Sequence, residues 1–537
     1  MGEPTGRELL GSLRARTGPV ILDDVGPMSG GELVDRVEAL VAHLRSIGVP
    51  EGASVLVVSP NRREVVEVEI ACIVGGWTAV PVNWHFDAEG VARVMADLGA
   101  AAVVVDPVLL GHVRVAFERW EHAPDERVPE PVPVLVLDGG DGGDERPPRE
   151  TDYEWALERA TASAVGDGRP GGVIFSTSGT TGRSRSVRFL GPPGPGADPV
   201  SPILRHHLPT LDAAAVPTDG RTLLCGPHYH WAQWTFGVLP LLRGSTLVVQ
   251  QRFVPAHVLA SIDRHDITNL LLLPTQIFRL LRLDARIRSA FGGAALQRVV
   301  HGAAPCPVDA KRAMIDWWGP VLTEYYGATE GGVVTLATSE EWQERPSSVG
   351  RAVPGKQVTV VADDGTVAAV GRDGIVHVRS EAGLSIEYVG APAATTATRA
   401  LPGHVTFGDI GHLDDDGYLT LSDRRSDMIV TGGVNVPSNL VEAVIAQHPA
   451  VSDVAVYGVP DTTAGQVVRA AIEVRGDPPA TLADEILELC RARLPEHQWP
   501  VAVEVVEQLP RSATGKLVKR RLRAPYWEPH IGPIRIR

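Results

Sequence analysis

The sequence predicts an α/β protein. A large N-terminal domain, residues 1–423, carries mixed sheets flanked by helices, and a small α+β C-terminal domain follows, residues 424–537. Three observations predict it. Strand and helix patterns alternate at βα spacing from Gly30 to Val105 and again from Arg221 to Tyr325. After Val349 short alternating strands separated by Asp-Gly turns replace them (Asp364-Gly365, Asp373-Gly374, Asp416-Gly417). After Arg424 a compact run of helices and strands has a typical domain length of about a hundred residues.

In chain order, Leu33, Val34, Val37, Leu40, Val41 and Leu44 recur at helical spacing, and Gly48 ends that helix. Ser54 to Val58 reads as a buried strand, Arg63 to Ile73 as a helix, and Ala79 to Asn83 as the next strand. Asp87 caps a helix that runs to about Leu98, before a strand at Ala102 to Val105. Residues 122–150 read as an exposed connection around the apolar Val132 to Leu137. Residues 191–220 read as loop, either a cover or a surface excursion. Strands then follow at Thr222–Cys225, Thr246–Val249, Asn269–Leu273 and Val321–Tyr325, with helices at Phe253–Asp263 and Pro307–Trp318. The C-terminal unit reads as helix (Asn439–Gln447), strands (Val451–Tyr457, Val468–Val474), helix (Leu482–Leu494) and strand (Val501–Val506).

The chain has 537 residues and a net charge of −15, which argues against nonspecific binding to nucleic acid or acidic membranes. Cys72, Cys225, Cys306 and Cys490 are far apart, with neither metal-ligand spacing nor a disulfide framework, and suit a reducing cytoplasm. No signal peptide and no membrane span are visible in the sequence. A homodimer is compatible with all of this.

The densest chemistry lies in Ser176-Thr177-Ser178-Gly179-Thr180-Thr181-Gly182, after the apolar Gly171 to Phe175. Two glycines let backbone N–H groups approach an anion, and five hydroxyls add donors. Arg183, Arg185 and Arg188 add positive charge. A polyphosphate suits such a loop, and a plain surface turn is the bland alternative. The P-loop pattern is not present.

The loop has companions in a fixed order. They are Tyr325-Tyr326-Gly327-Ala328-Thr329-Glu330, Gly408-Asp409, Asp423-Arg424-Arg425-Ser426-Asp427, and Leu509 to Lys516. The set resembles the adenylate-forming superfamily of acyl- and aryl-CoA ligases, nonribosomal adenylation domains and luciferases. Likeness extends from about Ser29 to Arg523. The stretches His301 to Pro307, Lys311 to Pro320 and Gly432 to Val436 look most like bacterial fatty-acid and bile-acid CoA ligases.

The resemblance implies roles. Thr177, Ser178, Gly179, Thr180, Thr181, Gly182 and Arg185 would hold the phosphates of ATP. Glu330 would help hold Mg2+, a hard cation that takes oxygen ligands, and Thr329 would bond the α-phosphate. Gly302, Ala303, Ala304, Pro305, Tyr326 and Gly327 would surround adenine, and Asp409 would take the ribose hydroxyls, helped by Arg424. Lys516 would stabilise the charge developing between the attacking oxygen and the α-phosphate. The small domain would be mobile, with Ser426 at the hinge and Gly433 lining a channel for the CoA thiol. His228, Tyr229, His230, Trp231 and Trp234 match the acid-pocket motif. Their rings either narrow a pocket or pack the core, and jointly they favour a small or aromatic acid.

Three departures stand out. Ser184-Arg185-Ser186 replaces the usual Pro-Lys-Gly, Pro437 to Leu440 replaces the usual strip beside the thiol channel, and Phe407 precedes Gly408-Asp409 where Thr is frequent. The leading reading is an AMP-forming acid–CoA ligase using ATP and Mg2+. The alternative is a CoA-independent adenylating enzyme, such as a diazotase activating nitrite for attack by an aromatic amine. A noncatalytic scaffold is the third reading, and the presence of Lys516, Glu330 and Asp409 speaks against it.

Overall fold

The computed structural model describes residues 5–121, 132–138, 149–160, 170–177, 185–190, 201–306, 308–362, 364–381, 385–399, 401, 403–424, 427–431, 434–461, 463–476, 478–511 and 517–527. The chain forms two compact units. One is Met1–Glu344 with Ala352–Gln357 and Arg379–Val405; the other is Arg345–Arg351 with Val358–Val378 and Thr406–Arg537.

In the first unit, six strands run parallel in the order Leu322–Ala328, Arg298–Gly302, Asn269–Leu272, Arg221–Leu224, Thr246–Val249 and Pro19–Asp23. Gly332–Thr338 and Gly26–Ser29 pair antiparallel with the outer two. A second sheet is parallel throughout, in the order Glu150–Asp152, Val134–Val136, Ala100–Val105, Ser54–Val58, Thr78–Pro81 and Gly172–Val173. Every residue of Ser54–Val58 is buried, as expected of a parallel strand covered on both faces. In the third sheet Arg185–Leu190 lies between Phe175–Thr177 and Ser385–Tyr388, antiparallel to both.

The helix Arg63–Gly75 is buried on nearly all sides, so its carboxylates need internal partners. Glu67 bonds Arg36 at 2.7 Å and receives the Tyr153 hydroxyl at 2.8 Å. Glu69 faces the aromatic stretch described below.

One expectation fails. Residues 191–220 read as loop, yet Pro202–Ala213 is a helix. Ile203, Leu204, His207, Leu208 and Leu211 form its buried face at helical spacing. Pro202 sits at the start, where a missing N–H costs nothing, and Pro209 lies inside. The density of prolines concealed the period. Residues 191–200 lie outside the described residues.

The strands Lys356–Val361, Gly374–Ser380, His404–Leu413, Tyr418–Arg424 and Ser348–Ala352, mostly of the second unit, follow one another in that order, and the last three pair antiparallel. Two of the predicted Asp-Gly turns carry a left-handed glycine, Gly365 at φ 83° and Gly417 at φ 81°. Its C-terminal part packs the helices Ser438–Ile445 and Leu482–Arg493 onto a sheet built on the long hairpin Val451–Asp461/Gly465–Val474. Ala502–Val505 joins that sheet parallel to Gly465–Val474.

Gly171 shows how tightly the first unit is closed. A Cβ there would lie 1.9 Å from the Trp77 carbonyl oxygen and 2.2 Å from that of Cys72. The clash is with backbone, which cannot swing aside, so Gly171→Ala is expected to destabilise the protein by about 2 kcal/mol or more. Chemical denaturation followed by tryptophan fluorescence measures it.

Candidate active site

Parallel strands expose their C-terminal ends along one edge of a sheet, and ligands of α/β proteins bind in the crevice there. Three of the motifs leave the first unit's strands at that edge. Gly226 to Trp234 follows Arg221–Leu224, Gly302 to Pro305 closes Arg298–Gly302, and Tyr326 to Glu330 closes Leu322–Ala328.

The second and third motifs are held together by backbone. Gly302 is the register partner of Tyr325. A Cβ on Gly302 would meet the Tyr325 carbonyl oxygen at 2.4 Å and its ring at 2.7 Å, so only glycine permits this approach. Ala303 then turns the chain at φ 68°, the left-handed region that costs a non-glycine residue about 1–2 kcal/mol. Ala304 is half-buried and Pro305 exposed.

Tyr326 and Gly327 sit at a β-bulge in the pairing with Gly332–Thr338. Gly327 has no room for a side chain, since a Cβ would lie 2.1 Å from the Gly332 carbonyl oxygen. The turn is closed by Gly331 N–H donating to the Ala328 carbonyl at 3.1 Å and by Gly332 at φ 62°. It carries Thr329, buried, and Glu330, half-buried. The Tyr388 hydroxyl donates to Glu330 Oε1 at 2.5 Å. The guanidinium of Arg185 lies 5.4 Å from the Tyr388 ring centre. Burial, then the Glu330 carboxylate, raises the Tyr388 hydroxyl well above its ordinary pKa, so it stays a donor.

Thr177 is paired with Arg185 across the hairpin that brackets the hydroxyl-rich loop, and Ser176 Oγ lies 3.3 Å from Ser186 Oγ. Ser178, Gly179, Thr180, Thr181 and Gly182 lie outside the described residues.

The aromatic stretch is buried. Trp231 is 4% exposed and Trp234 1%, and the chain from Trp234 to Val238 makes a π-helical turn, a local irregularity frequent at functional sites. Trp231 meets Tyr325 edge to face at 5.6 Å. His228 has both ring nitrogens engaged, Nδ1 with Glu69 Oε1 at 3.2 Å and Nε2 with the Ser59 carbonyl at 3.0 Å. The Trp234 indole N–H donates to the other Glu69 oxygen at 3.1 Å. A carbonyl only accepts, so His228 Nε2 carries a proton, and a second proton is shared between Nδ1 and Glu69. Burial pushes the Glu69 carboxyl up, against the opposing pull of His228 and Trp234. Asn61 completes the node, accepting from the His228 backbone at 2.9 Å and donating to the Gly226 carbonyl at 2.7 Å. His230 caps the short helix that starts at Trp231 and lies stacked beside its ring at 6.3 Å.

Behind the site, buried Lys311 bonds Glu324 at 2.7 Å and lies over the Trp342 ring at 4.6 Å. Cys306 is an unreactive thiol, pushed up to about 12 by burial and then by Glu324. No group of three or more potential metal-ligating side chains occurs among the described residues.

In the second unit, Asp409 is buried and is the register partner of Arg424 on the adjacent antiparallel strand, one step after Gly408 at φ 77°. The segment holding Lys516 is bracketed by the Arg511–Leu517 bridge and by Val518 N–H donating to the Pro510 carbonyl at 2.7 Å. Lys516, Ser426 and Gly433 lie outside the described residues. The helix Ser438–Ile445 starts in the divergent strip, where Lys519 donates to Ser438 Oγ at 2.5 Å and pairs with Glu442 at 2.7 Å.

Sequence reasoning missed Glu69, Asn61 and Tyr388. Glu67 and Glu69, set among the apolar residues Val65 to Val74, were the available signal for the first. Asn61 and Tyr388 gave none.

A family model of AMP-binding enzymes matches residues 14–389, and a model of the AMP-binding enzyme C-terminal domain matches residues 440–516. The chain belongs to the AMP-binding enzymes and is an AMP-forming ligase. It is similar to the medium/long-chain-fatty-acid–CoA ligase FadD8 of Mycobacterium tuberculosis (strain ATCC 25618 / H37Rv), 30% identical over 538 residues, covering 97% of this chain and 90% of that one. It is also similar to a feruloyl-CoA synthase of Amycolatopsis sp, 29% identical over 497 residues, covering 92% of each. Among solved structures, the amide bond synthetase McbA from Marinactinospora thermotolerans superposes with a TM-score of 0.80 at 25% identity, over 97% of this chain and 100% of that one.

The buried node makes a prediction. In Glu69→Gln the amide can donate to His228 Nδ1 and accept from Trp234, so a cost of about 1 kcal/mol or less is expected. Glu69→Ala leaves both partners unsatisfied beside a cavity and is expected to cost about 3–5 kcal/mol. Denaturant midpoints of the two variants check the contrast.

Proposed function

We propose that the chain is an acid–CoA ligase that converts a small or aromatic carboxylic acid to its acyl-adenylate with Mg-ATP and passes the acyl group to CoA. The observation that carries the reading is the close approach of Gly302 to Tyr325. It sets the Gly302–Pro305 turn and the Thr329-Glu330 turn side by side at the C-terminal ends of neighbouring parallel strands.

ATP is a substrate here. Gly302, Ala303, Ala304 and Pro305 would lie along one face of the adenine, with Tyr326 and Gly327 on the other. Thr177 to Gly182 and Arg185 would take the β- and γ-phosphates, and Thr329 the α-phosphate. Asp409 would accept from the ribose hydroxyls, with Arg424 beside it.

The residues present also fit a magnesium ion. Tyr388 engages one oxygen of Glu330 and leaves the other for a hard cation, whose remaining ligands are phosphate oxygens and water. When bound, the ion neutralises charge on the phosphates. The acid's carboxylate oxygen attacks the α-phosphorus, the bond to the bridging β-oxygen breaks, and pyrophosphate leaves. Lys516 would stabilise the charge that spreads over the transferring group.

For the second half-reaction the C-terminal segment from residue 424 would turn about Ser426 and bring Gly433 to line the thiol path. The thiolate attacks the acyl carbon and AMP leaves. Fixation of Ser438 by Lys519 gives the divergent strip a local structural role that does not require loss of the thiol path. Relatives bearing CoA-ligase names support CoA as the acceptor and do not favour the diazotase alternative. The four cysteines are all free thiols and no described helix is long and apolar enough to cross a membrane, and we place the enzyme in the cytoplasm. A homodimer is compatible with this reading.

Lys516→Ala is expected to abolish pyrophosphate release while ATP affinity stays within about threefold, because the lysine acts on the transition state. Calorimetry and a pyrophosphate assay over a panel of acids test it, with CoA, an amine and nitrite as parallel acceptors; pyrophosphate without thioester from any acid overturns the CoA assignment. Tyr388→Phe releases Glu330 from its orienting bond, and the Mg2+ concentration for half-maximal pyrophosphate release is expected to rise roughly 10-fold.

A further inference from the structure

The helix Pro202–Ala213 brings two histidines to the aromatic stretch. His207 is fully buried, with its ring centre 5.8 Å from that of Trp231 and 6.0 Å from that of Trp234. His206 packs against it edge to face at 4.7 Å. His206 also abuts Gly332, where a Cβ would meet its Nε2 at 2.5 Å, in the turn that carries Glu330.

The protonation of His207 follows from its partner. Thr235 Oγ1 donates to the Trp231 carbonyl at 2.8 Å, so it accepts from His207 Nδ1 at 3.1 Å. His207 Nε2 is therefore a bare acceptor, buried and without a hydrogen-bond partner. Neither nitrogen of His206 makes a well-formed hydrogen bond, although the Gly331 backbone is close enough to act on the ring. Lys356 is close enough to depress both rings. Burial dominates that depression and holds His207 near 3 and His206 well below its ordinary value, the latter against a weaker opposing pull from the Gly331 backbone. Among the described residues no hydrogen bond or ion pair reaches the Lys356 ammonium, and burial lowers it to about 8.

A buried unpaired acceptor is costly until something satisfies it, and a half-buried cation close to the same imidazoles gains from any acceptor that reaches it. A carboxylate would satisfy the lysine but repel the imidazole lone pair. A hydroxyl does both jobs, donating one hydrogen bond and accepting another. The surrounding rings Phe189, Trp231, Trp234 and Tyr325 suit an aromatic skeleton.

We propose that His206, His207 and Lys356 form a polar subsite beside Trp231 and Trp234 that reads a hydroxyl on an aromatic acid, the hydroxyl donating to His207 Nε2 and accepting from the Lys356 ammonium. The subsite rests on the acid-activation reading above and narrows its substrate to hydroxylated aromatic acids.

The test is calorimetric binding of matched pairs to the full-length enzyme without nucleotide: benzoate against 3- and 4-hydroxybenzoate, and cinnamate against 3- and 4-hydroxycinnamate. At least one hydroxylated member is expected to bind about 10-fold or more tighter than its parent. That ratio is expected to fall to near one in Lys356→Met and in His207→Phe. Melting curves establish that the variants fold, and Lys356→Met decides alone if His207→Phe does not. No hydroxyl preference in any pair, whether the members bind alike or neither binds, overturns the subsite, as does a preference that survives both substitutions. Pyrophosphate release is measured separately. A hydroxyl preference in binding with no pyrophosphate from any acid would sink the ligase reading and keep the subsite, whereas pyrophosphate without the preference does the reverse.

Discussion

A carboxylate in a dry interior must find partners, and the first unit is built around that constraint. The helix Arg63–Gly75 buries Glu67 and Glu69 two residues apart. Two residues turn the chain by about 200° around a helix, so the side chains point to opposite sides. Glu67 ties the helix to Arg36 and Tyr153, and Glu69 ties it to His228 and Trp234. One helix thus anchors the stretch that follows the strand Arg221–Leu224. Neither pair adds much net stability, since desolvation consumes the gain, but each specifies one arrangement that a hydrophobic contact would leave loose.

The same logic separates structural from receptive polar groups. His228 is saturated at both nitrogens and Lys311 is matched by Glu324, so neither has capacity for a ligand. His207 is buried and Lys356 half-buried without such compensation. The distinction lies in hydrogen-bond accounting, since His207 and His228 are both 1% exposed or less.

This accounting also explains what was legible in the sequence. Motifs whose chemistry is local could be read directly, because the turn at Thr329-Glu330 is built from adjacent residues, whereas the approach of Gly302 to Tyr325 comes from strand pairing. The alternation of strands and helices was read for the same reason. The partners that orient those motifs could not, because they are remote. Tyr388 lies 58 residues from Glu330, and Glu69 lies 159 from His228. His206 and His207 were overlooked with the whole helix Pro202–Ala213, in which prolines disguised an otherwise regular apolar face. His228 read as part of the acid-pocket motif, whereas burial gave both its nitrogens to protein groups.

The aromatic stretch hangs from one parallel strand, while the Gly302 and Thr329 turns close two others. Between them stands Asn269–Leu272, a strand buried along its whole length. That intervening strand separates the two stretches of backbone, and side chains meet across it where Trp231 and Phe236 pack on Tyr325. Away from those rings, side chains on the Arg221 side can be exchanged over evolutionary time with little effect on the turns. Selectivity in such an architecture drifts with few constraints from the activation chemistry. A designer seeking new acceptors of activation would randomise positions on the Arg221 side and leave the remaining edge intact.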